Sequence, residues 1–238
     1  MGDPVALIIP ALDEEKNIAA VLDELAQVSR GTAAGSWPVQ VVVVDNGSAD
    51  RTAEVARARG AQVVLEPRRG YGRACLAGLA ALSPEIRIVA FMDADGSDDP
   101  RDLVSLVEPI GRGEADLVIG SRELGQREPH ALPAHQRCGN WLATFLVRLF
   151  YGARYTDLGP FRAIRRDGLE QLALGHTNFG WTIEMQVKAH RASLLVREIP
   201  VRYRRRRSGR SKVSGTIRGS VRAGAEILWT ILRCRFSS

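Results

Sequence analysis

Short apolar segments alternate along this chain with segments of helical periodicity, and that alternation sets its fold class. Val5–Pro10, Val39–Val44, Val63–Leu65, the stretch Ile86 and Ile88–Met92, and Leu117–Ile119 are too short to be buried helices. They are also too continuous to be strands with one wet face, so they predict strands covered on both sides. Between them, Asp13 is placed to cap a helix with Glu14 and Glu15 in its first turn and Ile18, Val21, Leu22 and Leu25 on one face. Further helices are predicted over residues 52–59 and 72–82, and after Asp99-Pro100, an N-cap followed by a first-turn proline, with Leu103, Leu106, Val107 and Ile110 facing inward. The expected fold is α/β: a mostly parallel sheet with helices on both faces.

Such sheets bind ligands at the carboxyl ends of their strands. There the chain carries Pro10-Ala11-Leu-Asp13-Glu14, Asp45-Asn-Gly-Ser48, Arg69-Gly70-Tyr-Gly72-Arg73, Asp93-Ala-Asp95 and Gly120-Ser121-Arg122. All of these fall on one rim, whereas turn residues without a ligand role would scatter to both ends of the sheet. Asp93 and Asp95 can share one hard divalent cation and leave positions for water or phosphate oxygens. Asp-x-Asp is also a common turn sequence, because Asp bonds its own backbone; the four companion clusters favour the ligand site. Acids after the first two strands suit base and ribose hydroxyls, and Gly70 and Gly72 let backbone approach a ligand.

The net charge of +6 is concentrated in one place. Arg202, Arg204, Arg205, Arg206, Arg207, Arg210 and Lys212 form a run without an acid, and the 27 acidic residues are matched almost one for one by the basic residues outside it. The run reads either as a solvated loop or as a clamp for phosphates or an anionic membrane surface. Cys75, Cys138 and Cys234 have neither disulfide nor zinc spacing. A reducing cytoplasm is expected, with no signal peptide, and no apolar run approaches the roughly 18 residues of a membrane span.

In their order, Pro-Ala-Leu-Asp-Glu-Glu, Val-Val-Asp45-Asn-Gly-Ser, Gly-Tyr-Gly-Arg-Ala, Asp93-Ala-Asp95, Gly-Ser-Arg122, Asp157-Leu-Gly-Pro-Phe-Arg162 and Ser208-Gly-Arg-Ser-Lys212 resemble the family-2 glycosyltransferases. Among these they are most similar to the polyprenyl-phosphate hexosyltransferases, the dolichol-phosphate mannose and glucose synthases. The resemblance implies a GT-A (Rossmann-like) catalytic domain over residues 1–212 and an amphipathic C-terminal helix over 213–238. It also implies inverting transfer of mannose or glucose from a GDP-mannose or UDP-glucose type donor to a polyprenyl phosphate, with Mg²⁺ or Mn²⁺. By it, Pro10, Ala11, Asp13, Glu14 and Asp45 hold the nucleoside, Gly70 and Arg73 belong to the donor site, and Arg210 and Lys212 close over the diphosphate. Asp93 and Asp95 face the ribose, metal and diphosphate, and Ser121, Arg122 and Arg137 meet the acceptor phosphate. Two positions depart from the family pattern: Ser97 stands where a metal-binding Gln is usual, and Gly-Pro160-Phe replaces Ser-Gly-Phe.

A phosphate acceptor is already anionic and needs positioning more than a general base, whereas a hydroxyl acceptor needs a carboxylate to take its proton. Glu184 and Asp157 are the candidates for that role, beside Asp95 and Arg122 as the groups that serve leaving group and acceptor. His176 and His190 lack metal-ligand spacing. Residues 139–151 place Leu142, Phe145, Leu146, Leu149 and Phe150 on one face, flanked by Trp141 and Tyr151, with Asn140, Thr144 and Arg148 opposite. That face packs either on the core or on lipid. A second amphipathic stretch, with Leu228 and Ile231 against Arg222 and Arg233, follows near the C-terminus. The expected location is the cytoplasm, with peripheral contact at the inner face of the cell membrane. A dinucleotide-binding dehydrogenase is a poor alternative, because Gly-x-Gly-x-x-Gly is missing after the first strand. Nucleic-acid binding leaves the acidic rim unexplained. A glycosyltransferase with a soluble hydroxyl or phosphate acceptor stays open.

Overall fold

The computed structural model describes residues 3–31, 39–209 and 217–236; Arg210 and Lys212 lie outside them. Seven strands, β1 (Val5–Ala11), β2 (Val39–Asp45), β3 (Gln62–Leu65), β4 (Ile88–Phe91), β5 (Leu117–Ser121), β6 (Arg162–Arg165) and β7 (Val196–Pro200), form one sheet in the order β3-β2-β1-β4-β6-β5-β7. β6 runs antiparallel to β4 and β5, and the other pairs are parallel. The mostly parallel sheet expected from the apolar segments is therefore present, with one reversed strand inserted. β1 and β2 end flush, Ala11 opposite Asp45, so their polar ends share one rim.

Alternate β1 side chains face opposite ways. Val5, Leu7, Ile9 and Ala11 join a core with Ile18, Val21, Leu22 and Leu25 of α1 (Glu15–Gly31) and with Leu103, Leu106, Val107 and Ile110 of α4 (Leu103–Gly111). Thr52–Ala58 forms α2 beside them. Ala6 and Ile8 join the opposite core with α3 (Tyr71–Ala80), α6 (Arg166–Leu172) and α7 (Trp181–Arg191). A third cluster, including Val147, Ile183, Val187 and Ile231, binds α7 to α5 (Ala134–Tyr151) and α8 (Ile217–Phe236). β6 and β7 escape a hydropathy reading because Arg162, Arg165, Arg197 and Glu198 interrupt them. Arg162 is nonetheless buried, bonding the carbonyls of Gly159 at 3.1 Å and Thr182 at 2.9 Å, and burial lowers its pKa to about 10.

α5 is turned the other way from a core-facing helix. Its buried residues are Asn140, Ala143, Thr144 and Val147, while Trp141 is 63% exposed, Leu149 62% and Phe145 47%. Of the polar row, Asn140 and Thr144 face inward while Arg148 is exposed, and Asn140 is used there: its Nδ2 donates to the Thr156 carbonyl at 3.0 Å, and its Oδ1 accepts the Leu158 N–H at 2.9 Å. Outside, Trp141 and Phe145 stack with ring centroids 5.6 Å apart. Leu146 and Phe150 lean on the third cluster.

Two glycines test this packing in opposite senses. A Cβ on Gly78 of α3 would stand 2.6 Å from Ile8 Cγ2, against a buried strand, whereas one on Gly139 of α5 meets nothing within 4 Å. Gly78→Ala is expected to destabilise by about 1–3 kcal/mol through overpacking, and Gly139→Ala to stabilise by about 0.5–1 kcal/mol through helix propensity. Urea unfolding of the two variants measures both; a neutral Gly78→Ala would refute the flush contact of α3 with β1.

Candidate active site

A cavity of about 320 Å³ opens at the carboxyl ends of β1, β2 and β4. Pro10, Ala11 and Glu14 form its β1 side, Asn46 and Gly70 its β2 side, and Asp93 and Asp95 its β4 side. Arg69, Tyr71, Asn178, Phe179, Arg206 and Arg222 also line it, and none of these was singled out as a site residue from sequence. Asn46 fastens the rim: Nδ2 donates to the carbonyls of Glu66 and Arg68 at 3.0 and 2.9 Å, and Oδ1 accepts the Gly70 N–H at 2.8 Å.

The turn after β4 concentrates negative charge. Burial, reinforced by Asp95, raises the pKa of Asp93 from 3.8 to about 7, against the pull of Arg122 and Arg206. Burial and the neighbouring Asp93 and Asp95 raise Asp98 as well. Asp98 Oδ2 accepts the Asp93 N–H at 3.2 Å, while the buried Oδ1 has no hydrogen-bond partner. Ser97 Oγ donates to Asp95 Oδ1 at 2.5 Å, so the residue in the usual Gln position steadies one Asp. Among the described residues no group of three or more His, Cys, Asp or Glu side chains is arranged to hold a metal ion. Two hard carboxylates on the wall of an open cavity, in a turn short of positive charge, still fit a divalent cation that takes its remaining oxygens from ligand and water.

The described part of the arginine run is neither a solvated loop nor a free clamp. Arg202 pairs with Asp102 and Asp99, Arg204 with Asp99 and Glu24, and Arg207 with Glu24. The Arg205 N–H and Nε donate to Glu128 Oε2 and the Pro129 carbonyl at 2.8 and 2.6 Å. Arg206 reaches into the cavity, where one terminal nitrogen is 2.9 Å from Asp95 Oδ2 and the other bonds Glu14. Burial would raise Asp99, but hydrogen bonds from Arg101 and Arg204 hold it well below the usual carboxylate range. Glu14 is raised by burial, opposed by Asn17 and Arg206.

Beside the cavity, Ser121, Arg122 and Asp157 form a buried cluster. Arg122 Nε and a terminal nitrogen donate to the two Asp157 oxygens at 2.8 and 2.7 Å, and the Arg122 N–H donates to Oδ2 at 2.8 Å. The guanidinium lies 5.2 Å from the Tyr203 ring centroid and is 13% exposed. Ser121 Oγ bonds Thr156 Oγ1 at 2.7 Å. Arg137 stands at the edge of this cluster, 3.9 Å from Glu123 and more than half exposed.

Other residues named from sequence are not among those lining the cavity. Asp13 does not cap α1: it has φ 50°, a conformation Asp tolerates, and its carboxylate accepts the Ala49 N–H at 2.7 Å. Asp45 Oδ1 accepts the Ser48 N–H at 2.9 Å. Glu184 is buried and accepts N–H groups of Gly175 and His176 at 3.3 and 2.8 Å, with Lys188 Nζ at 2.9 Å. The backbone approaching Gly70 and Gly72 is the protein's own: a Cβ would stand 2.3 Å from the Thr177 carbonyl oxygen and 2.0 Å from that of His176. The Arg73 N–H donates to the same Thr177 carbonyl at 3.0 Å.

Comparison with known proteins accounts for this architecture. A glycosyltransferase of Mycobacterium tuberculosis, itself uncharacterised, is 42% identical over 92% of this chain and 94% of its own length. The undecaprenyl-phosphate mannosyltransferase of Micrococcus luteus is 30% identical over 97% of this chain and 98% of its own. The dolichyl-phosphate hexose transferase of Haloferax volcanii is 31% identical over 89% and 87%. The crystal structure of glucosyl-3-phosphoglycerate synthase from Mycobacterium tuberculosis with Mn²⁺, UDP and phosphoglyceric acid superposes with a TM-score of 0.76 at 24% identity, covering 100% of this chain and 80% of that one, and so shares the fold. The family model for glycosyl transferase family 2 matches residues 6–173. With its mixed sheet and acidic rim, the chain belongs to glycosyl transferase family 2 and is a glycosyltransferase of GT-A fold.

Proposed function

We propose that this enzyme transfers a hexose, with inversion, from a nucleotide-diphosphate sugar to a polyprenyl phosphate. The observation that carries this reading is the outward apolar face of α5. Trp141, Phe145 and Leu149 are exposed on the helix whose inner side holds the Thr156–Leu158 segment, and Asp157 of that segment orients Arg122. An apolar surface next to a positioned cation suits a phosphate carried on a lipid. The names of the Micrococcus and Haloferax relatives point the same way. The phosphoglyceric acid in the synthase structure favours a second reading, a soluble phosphorylated acceptor.

In this mechanism Pro10, Ala11 and Glu14 receive the nucleoside, with Asp13, Asp45, Gly70 and Arg73 shaping the rim around it. Asp93 and Asp95 would hold Mg²⁺ or Mn²⁺, which would supply charge neutralisation at the departing diphosphate. Arg206 leaves Asp95 and Glu14 as that charge arrives. Arg210 and Lys212, outside the described residues, continue the same run in the sequence and are proposed to close over the diphosphate. Arg122, with Ser121 and Arg137, holds the acceptor phosphate in line with the anomeric carbon, and Asp157 keeps the guanidinium in one orientation. A phosphate oxygen attacks without first losing a proton, so no base is required. Glu184, committed to the Gly175–His176 turn, acts structurally.

Asp95→Asn is expected to abolish the strengthening of UDP or GDP binding by Mn²⁺ while leaving the circular dichroism spectrum unchanged. Calorimetry with and without Mn²⁺ measures this, and an undiminished metal effect would defeat the assignment. The acceptor half is tested separately. Arg122→Lys keeps the charge but loses the two-pronged contact, and should lower kcat/KM for a short-chain polyprenyl phosphate by about tenfold or more. Glu184→Gln should stay within a few-fold of wild type. Initial rates showing Glu184 essential and Arg122 dispensable would identify a hydroxyl acceptor instead.

A further inference from the structure

The cavity has a wall built by α8. Arg222 lines the same cavity as Asp93 and Asp95, and its Nε donates to Glu226 Oε1 at 3.1 Å, one helical turn away. Glu226 also accepts from Asn178 Nδ2 at 3.1 Å and from the Phe179 N–H at 3.3 Å. Asn178 and Phe179 themselves line the cavity. Next along, Gly180 packs so closely on α8 that a Cβ there would stand 2.2 Å from Thr230 Oγ1. On its other side the same segment rests on the Gly70–Gly72 turn through the carbonyls of His176 and Thr177. Residues 176–180 are thus wedged between the nucleoside side of the cavity and α8, and the family match ends at residue 173, before either begins.

We infer that α8 is part of the substrate site: Arg222 binds a phosphate group of the substrate at the cavity mouth, and Glu226 is a positioning residue that sets the Asn178–Phe179 wall. The inference rests on the nucleotide-sugar reading of the cavity. Arg222 adds a guanidinium to the cavity lining, and its side chain is 74% exposed despite the pair with Glu226, so its free N–H groups can receive an anion; the reaction offers two, the donor diphosphate and the acceptor phosphate. Glu226 does two things with one carboxylate: it pre-orients Arg222, and it satisfies an amide N–H and an Asn side chain of the wall.

The test uses the full chain and four variants, Arg222→Ala, Arg222→Lys, Glu226→Ala and Glu226→Gln, with UDP and GDP in the presence of Mn²⁺ as calorimetric probes. Initial rates with a short-chain polyprenyl phosphate and with phosphoglycerate supply acceptor KM values, and thermal unfolding checks the fold. Arg222→Ala is expected to raise by roughly tenfold either the nucleotide Kd, which assigns Arg222 to the donor diphosphate, or the acceptor KM alone, which assigns it to the acceptor phosphate. Arg222→Lys should recover part of the loss. Glu226→Ala should weaken nucleotide binding several-fold, and Glu226→Gln, which keeps an accepting oxygen for the Phe179 N–H but loses the one that orients Arg222, should show a smaller loss. Nucleotide Kd and acceptor KM both within twofold in a folded Arg222→Ala protein would overturn the phosphate contact. Equal losses in Glu226→Ala and Glu226→Gln would overturn the positioning role. A wild type that binds neither nucleotide sinks the donor-site reading, and the inference with it.

Discussion

Glu14, Asp93 and Asp98 are drawn into one desolvated rim, where burial and neighbouring acids raise their proton affinity, and an arginine strap from Arg202 to Arg207 crosses it, Arg206 pairing with Asp95 and Glu14 and Arg202 and Arg204 with Asp99. Water cannot screen groups packed this deeply, so the compensation must come from side chains brought across the whole sequence. Arg202 and Arg204 share Asp99, Arg204 and Arg207 share Glu24, and Arg206 takes Asp95 and Glu14, so the strap has a defined path instead of a diffuse attraction. Its inward member, Arg206, spans Asp95 and Glu14 at the spot where a divalent cation and a diphosphate would bring charge of their own. Ligand binding at this rim is in physical terms an exchange of counter-charges.

A second set of contacts orients the neighbouring cation. Asn140 on the inner side of α5 fixes the backbone on both sides of Asp157, Gln186 Nε2 bonds the Asp157 carbonyl at 3.0 Å, and Asp157 grips Arg122. Tyr203, in the arginine strap, covers the face of the same guanidinium. Arg122 is thus held by elements distant in sequence, and Arg206 by the cavity's own Asp95 and Glu14. The cost of α5 serving this purpose is visible on its other side, where Trp141, Phe145 and Leu149 are left outward. Trp229 of α8 is likewise 65% exposed.

Close backbone contact explains the glycines of the rim differently from ligand approach. Gly70 and Gly72 admit the carbonyls of residues 176 and 177, which closes the cavity with a segment that ends on α8. The part of the chain matched by the family model supplies the β1, β2 and β4 sides, and later residues supply the opposite side.

The sequence alone determined the sheet, most of its strands, and the collection of polar clusters on one rim, because continuous apolar runs and turn chemistry are local properties that survive any tertiary arrangement. It also carried the family, since the motifs keep their order. It could not reveal β6 or β7, whose charged residues look like loop until Arg162 is seen satisfied by carbonyl groups inside the protein. Nor could it tell which face of α5 points inward, because hydropathy ranks Asn140 and Thr144 as polar without knowing that buried backbone waits to bond them. The arginine run, a cluster of like charge on paper, became a paired strap only in three dimensions, with partners from residue 14 to residue 128. Pairing across long sequence separations is decided by what the fold brings within reach, and no local pattern encodes it.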